Sequence, residues 1–246
     1  MVGSSNRFVN LLNMAITLNS IVPWGRSFAE YVSMFSLTET DLKSKILGCG
    51  DGPASFNSEM KKRGYTVVSI DPVYQSSAEQ IRSRIKAAYD EIMAQLLKNR
   101  DDYIWDTISS PEELGRIRMS AMQEFLADFE QGKQEGRYRT EELPLLPFGD
   151  KEFDLALSSH FLFLFTAHVS LDFHRQAIAE MCRVAREVRI FPLQTLGRTT
   201  SPYVAPIIAE FTEAGYAVTI EPVAYEFQRG SNQMLKISHL RGLLFC

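Results

Sequence analysis

The sequence predicts an α/β domain built on a mostly parallel sheet, and three observations carry that expectation. Short apolar runs rich in β-branched residues alternate along the chain with longer stretches whose apolar residues recur every three or four positions. The first such run, Lys45 to Leu47, opens into Gly48, Gly50 and Gly52 at alternate positions, a turn that permits positive φ and close approach of a ligand. The next run, Tyr65 to Ile70, ends on Asp71 about twenty residues after the last glycine, the spacing at which a strand-end acid reaches ribose hydroxyls.

The elements follow in order. Residues 1–40 read as an N-terminal helical cap over the domain formed by residues 41–246. Within the cap, Phe8 to Trp24 is apolar but interrupted by Asn10, Asn13 and Asn19, too short and too polar for a bilayer span and without a cleavage site. Pro53 suits the first position of a helix that carries Phe56 and Met60 inward and stops at Gly64, its amino end favouring a carboxylate. After Asp71, the residues Ile81, Ile85, Ala88, Ile92 and Leu96 mark an amphipathic helix from about Ser77 to Asn99. A second begins at Ser110, with Pro111 in its first turn and Glu113 completing a capping box, and carries Leu114, Ile117, Ala121, Phe125 and Phe129. These two helices form an insertion at about 76–136. The sheet resumes with Arg137 to Glu142 and Phe153 to Ser159. A helix over Ser170 to Ala185, a strand over Glu187 to Leu193 and a helix from Ser201 and Pro202 to Gly215 follow. Ala217 to Phe227 and Gln233 to Ser238, joined through Gly230 and Ser231, close the chain as an antiparallel hairpin.

Composition narrows the function classes. A net charge of −4 over 246 residues leaves no electrostatic footprint for nucleic acid. Three cysteines, Cys49, Cys182 and Cys246, are too few and odd in number for a disulfide framework, so a reducing compartment and a cytoplasmic location are expected. No cysteine and histidine spacing suggests a metal site. Arg82, Arg84 and Lys86 spread around their helix as a solvated face.

The glycine turn separates two kinds of nucleotide-like ligand. A nicotinamide fingerprint places its third glycine at the sixth position, where this chain has Pro53. The pattern GxGxG followed by an acid at the second strand end instead resembles the class I (Rossmann-like) S-adenosylmethionine-dependent methyltransferases. Leu146 to His160, LPFGDKEFDLALSSH, is similar to that family's entry into its fourth strand: a Leu-Pro-Phe turn, a polar loop, then Phe-Asp before an apolar strand. The resemblance covers roughly Ser44 to Val73 and Leu143 to Ile237.

The resemblance implies a three-layer sandwich with a mostly parallel seven-stranded sheet, a C-terminal antiparallel hairpin and the two-helix insertion after the second strand. It implies S-adenosyl-L-methionine as cofactor and S-adenosyl-L-homocysteine as product. Gly48, Cys49, Gly50, Asp51 and Gly52 would surround the methionine and ribose portions, Asp71 would accept the ribose hydroxyls, and Pro72 with Val73 would border the adenine. Glu141 or Glu142 would face the adenine amino group, with Ser158 at the fourth strand end and Tyr31 on the cofactor carboxylate. Many members carry an acid two positions before the first glycine, where this chain has Ile46; that contact is then missing or supplied elsewhere, by Asp51 or the N-terminal segment.

His160, after the fourth strand, is the candidate general base, a neutral imidazole able to take a proton from an acceptor; the alternative is a histidine that only shapes the cleft. The acceptor is expected to be a small molecule or peptide, with O- or N-transfer open and a homodimer compatible. No Asn-Pro-Pro-Tyr type sequence stands at this position, which disfavours amino-directed transfer to nucleic acid or glutamine. The run Phe161 to Phe165 is expected in the core or along an acceptor pocket, Arg26 and Tyr74 flank the cleft, and the insertion reads as a lid or a packing extension. The competing class is a non-catalytic binding or assembly protein with the same fold.

Overall fold

The structure, a computed structural model, describes residues 24–239; the part of the expected cap before Trp24 lies outside the described residues. The central parallel strands are short and largely buried on both faces. The element order is α1 (Phe28–Met34), α2 (Glu39–Leu42), β1 (Ile46–Cys49), α3 (Phe56–Lys62), β2 (Val67–Ile70), α4 (Ala78–Lys98), α5 (Pro111–Gln134), β3 (Tyr138–Arg139), β4 (Phe153–Ser159), α6 (Leu171–Val184), β5 (Ala185–Phe191), α7 (Val204–Glu213), β6 (Tyr216–Pro222) and β7 (Gln233–His239).

The strands form one seven-stranded sheet in the order β3-β2-β1-β4-β5-β7-β6. The first five pair in parallel, with Ile46 opposite both Val67 and Leu155, whereas β7 lies antiparallel between β5 and β6. This is the arrangement the methyltransferase resemblance implies. Alternation of side chains along the strands sends Leu47, Cys49, Val188 and Ile190 to the face covered by α6 and α7, and Ile46, Leu157 and Phe191 to the face covered by α1 and α3. The chain reverses its strand order between β1 and β4, the switch point beside which open α/β sheets hold ligands.

The helices α4 and α5 pack against each other, and α5 also meets α3 and β3, so the segment between β2 and β3 extends the layer above the switch point. Tyr74, Ile81, Phe125, Phe129 and Tyr138 make one core there; Ile92, Leu96, Tyr103, Ile108 and Leu114 make another. Ser110 caps α5 by accepting from the Glu113 amide, but the Glu113 carboxylate turns to Ser109.

Three sequence expectations shift. The helix after the glycine turn begins at Phe56, not Pro53, because the Ser55 amide donates to the Arg26 carbonyl at 3.0 Å and draws Pro53 to Ser55 onto the N-terminal segment. Gly25 faces the Pro53 carbonyl so closely that a Cβ would stand 2.0 Å from its oxygen. The third strand is only Tyr138–Arg139, because β2 reaches no further than Ile70 and its edge pairing stops with it. The first hairpin strand ends at Pro222, and the chain then folds inward, the Ile104 amide donating to the Phe227 carbonyl at 2.8 Å.

Candidate active site

A cavity of about 770 Å³ opens over the carboxyl ends of β1, β2 and β4. Its floor is the glycine turn. Gly50 and Gly52 have φ of +72° and +54°, and the Gly50 amide donates to the Ile70 carbonyl at 2.9 Å. A Cβ on Gly52 would meet only the Asp71 carboxylate, at 3.9 Å, so the backbone there is open. Gly48 is needed for another reason: a Cβ would stand 1.8 Å from Asp51 Oδ2. The missing side chain makes room for Asp51, which folds back over the turn.

Asp51 is 8% exposed and accepts from the Tyr31 hydroxyl at 2.9 Å and the Ser69 hydroxyl at 2.6 Å. Burial raises its carboxyl to about 6, against those two donors, which favour the charged form. Asp71, half-buried at the end of β2, accepts from the Gly52 amide at 2.9 Å and from the Val73 amide at 2.8 Å. One carboxylate therefore ties the glycine turn to the second strand, and its remaining lone pairs are available to the cavity. Burial also raises its proton affinity, those two amides opposing and Glu142 reinforcing the rise.

His160 stands across the cavity at the end of β4. Its φ of +53° is a conformation that non-glycine residues rarely adopt, and its amide is fixed by the Phe191 carbonyl at 2.7 Å. The ring packs edge-on against Phe191, with Nδ1 2.9 Å from the Ser159 hydroxyl. No other hydrogen bond engages the ring among the described residues. Burial, then the charges of Arg26 and Arg118, push the imidazole well below its usual range, so the ring is neutral.

Tyr31, Gly50, Asp51, Gly52, Asp71, Pro72, Glu142 and His160 all line this cavity; Gly48, Cys49 and Ser158 do not. Cys49 points into the core beneath the turn, and burial raises its thiol well above the ordinary range. Ser158 is fully buried one residue before the rim, on the opposite side of the strand from Ser159. The Tyr31 hydroxyl, expected on a cofactor carboxylate, commits its proton to Asp51. Glu141 is held by Arg139, while Glu142 stands exposed at the rim. Of the apolar run, Phe161, Leu164 and Phe165 touch the cavity and Phe163 is core.

Sequence reading missed a charged cluster above His160. Arg118 of α5, 1% exposed, pairs with Glu30 of α1 and donates to the Tyr225 hydroxyl at 3.3 Å; Tyr225 donates to Glu30 at 3.0 Å. Burial opposes ionisation of Glu30, but Arg118 holds it at about 2. Arg26 and Arg118 both line the cavity. A signal existed: Arg118 follows Leu114 by four and precedes Ala121 by three, which puts it in the apolar stripe of an otherwise regular helix. Among the described residues no acidic, histidine and cysteine group could hold a metal ion, and no helix is long and apolar enough to cross a membrane.

No protein-family model matches the chain. It is 33% identical over 224 residues to the uncharacterized protein MJ0045 of Methanocaldococcus jannaschii, spanning 90% of this chain and 98% of that protein. The chain belongs to the same family as that protein. Solved structures similar to it include magnesium protoporphyrin IX methyltransferase (ChlM) from Synechocystis PCC 6803 with bound SAH, at TM-score 0.48 and 15% identity over 86% of this chain and 81% of that one. Another is a putative S-adenosyl-L-methionine-dependent methyltransferase from Methanococcus maripaludis, at TM-score 0.40 and 11% identity over 88% and 85%. The strand order, rather than these likenesses, identifies the fold.

Proposed function

We propose that this protein is an S-adenosylmethionine-dependent methyltransferase whose acceptor is a small molecule or peptide. The observation that carries the proposal is the Asp71 carboxylate joined to the Gly52 amide, which puts the open glycine turn and the second-strand acid on one wall of the cavity, facing His160. The residues present fit the cofactor: Asp51, Asp71 and Glu142 make that end acidic, suited to an ammonium and a sulfonium, and Gly52 leaves backbone accessible. When bound, S-adenosylmethionine would supply a methyl group on a good leaving group.

Asp71 would hold the ribose hydroxyls through lone pairs its backbone donors leave free. Asp51, ionised at neutral pH although burial raises it to about 6, would supply the acid that Ile46 does not, and an approaching cation would stabilise its charge. His160, neutral and half-buried, would take the proton of the acceptor's nucleophile. Phe161, Leu164, Phe165 and Phe191 beside it would keep water from the reacting atoms. The segment from α4 to α5 would close the acceptor end as a lid, through Ile92, Leu96 and Leu114.

Calorimetric titration with S-adenosylmethionine and S-adenosylhomocysteine tests the proposal, and binding in the micromolar range is expected. Failure to bind either compound would defeat it.

A further inference from the structure

The cavity is electrically divided. Its acids, Asp51, Asp71, Glu141 and Glu142, come from the glycine turn, the end of β2 and the segment after β3. Its deep basic groups, Arg26 and Arg118, come from the N-terminal segment and α5, and both act on His160. Arg118 has Glu30 as its counter-charge. Arg26 makes no ion pair among the described residues, and its one side-chain hydrogen bond goes to the Trp24 carbonyl. The Nε atoms of both arginines are buried without a hydrogen-bond partner among the described residues. Arg26 and Arg118 share the one counter-charge of Glu30, so the cluster holds one cation in excess. A buried guanidinium nitrogen without a partner is unfavourable in the free protein, which marks Arg26 as a group kept for a ligand. Around these cations the wall is apolar: Trp24, Ile92, Leu96, Leu114 and Phe227 line the same end.

We infer that the acceptor end of the cavity is an oxyanion site, in which Arg26, backed by Arg118, pairs with a carboxylate or phosphate on an otherwise apolar acceptor whose nucleophile lies toward His160. A planar guanidinium with free donors suits both anions. The inference rests on reading the opposite end as the methyl-donor site, because the cofactor has a carboxylate of its own that could claim Arg26 instead.

The test is calorimetry on the full-length chain saturated with S-adenosylhomocysteine. The probes are phenylacetate, phenyl phosphate and the uncharged phenylacetamide. The anions are expected to bind at least about tenfold more tightly than the amide. Arg26→Gln is expected to erase that preference while changing S-adenosylhomocysteine affinity by less than about threefold, and Arg26→Lys to restore part of it. Thermal melting of ligand-free Arg26→Gln should show an unchanged or raised midpoint, because Glu30 keeps Arg118 while the repulsion between the two arginines is removed.

Equal affinity of wild type for acid and amide, including no binding of either, overturns the inference. So does a tenfold or larger loss of S-adenosylhomocysteine binding in Arg26→Gln, which assigns the arginine to the cofactor, or a clearly lowered melting midpoint, which makes it structural. If wild type binds no S-adenosylhomocysteine, the methyltransferase reading fails instead, and the acid and amide comparison without it still decides the oxyanion site.

Discussion

Replacing Asp51 by Asn is expected to make the ligand-free protein more stable at neutral pH and to weaken its hold on the cofactor. Burial moves the Asp51 carboxyl from 3.8 to about 6, and at roughly 1.4 kcal/mol per pH unit that rise corresponds to about 3 kcal/mol of destabilisation once the group is charged. The native state binds the extra proton between those two values, so wild-type stability falls as pH rises from 3.8 to about 6. Asn removes the charge but satisfies the Tyr31 and Ser69 hydroxyls less well, a loss of about 1 kcal/mol. A net gain of about 1–2 kcal/mol is therefore expected in urea denaturation at about pH 7.5, disappearing near pH 4.5. The same variant should bind S-adenosylmethionine more weakly by about 1.5–3 kcal/mol, the value of a charge-assisted hydrogen bond. A variant less stable than wild type at about pH 7.5, or a stability difference that does not change with pH, would refute the reasoning.

Four further outcomes are expected. Gly48→Ala drives a methyl group into the Asp51 carboxylate, so S-adenosylhomocysteine binding measured by calorimetry should fall at least about tenfold, with a lowered melting midpoint. Arg118→Met leaves Glu30 buried without its cation and should destabilise the fold by about 3–5 kcal/mol in urea, whereas the double variant with Glu30→Gln should recover most of it. Glu30, held at about 2 against 4.5 unfolded, lends stability that is present above 4.5 and lost as pH falls toward 2; an acid titration followed by far-UV circular dichroism should lose that sensitivity in the double variant. His160→Gly relieves the backbone strain of a φ of +53° and should melt no lower than wild type, while His160→Ala should melt below it by roughly 1 kcal/mol of stability; both should abolish transfer if the ring is the base.

Legibility differs from one end of the cavity to the other. The glycine turn, the β2 acid and the strand that ends at His160 follow from near neighbours: Gly50 and Gly52 take positive φ where no side chain is required, and Asp71 bonds to Val73 two residues on. The partners of Asp51 were not legible, because Tyr31 and Ser69 lie 20 and 18 residues away on separate elements. The final hairpin was legible in kind but not in length; a β-favourable run to Phe227 yields at Pro222 to contacts with Tyr103 and Ile104. Pro53 likewise loses its helical position to the hydrogen bond between Ser55 and Arg26.

The sequence by itself determined the alternation of strands and helices, the turn chemistry at Gly48 to Gly52 and the acid at Asp71, since each depends on backbone preferences and spacing within a few tens of residues. Only the tertiary structure decided which charges meet. Glu30 and Arg118 stand 88 residues apart and Glu30 and Tyr225 stand 195 apart, and periodicity that puts Arg118 in the apolar stripe of its helix does not name the partners it meets there. Burial between α1, α5 and the loop after β6 turns those side chains into a desolvated cluster over His160, and its unpaired member, Arg26, gives the cavity its basic end.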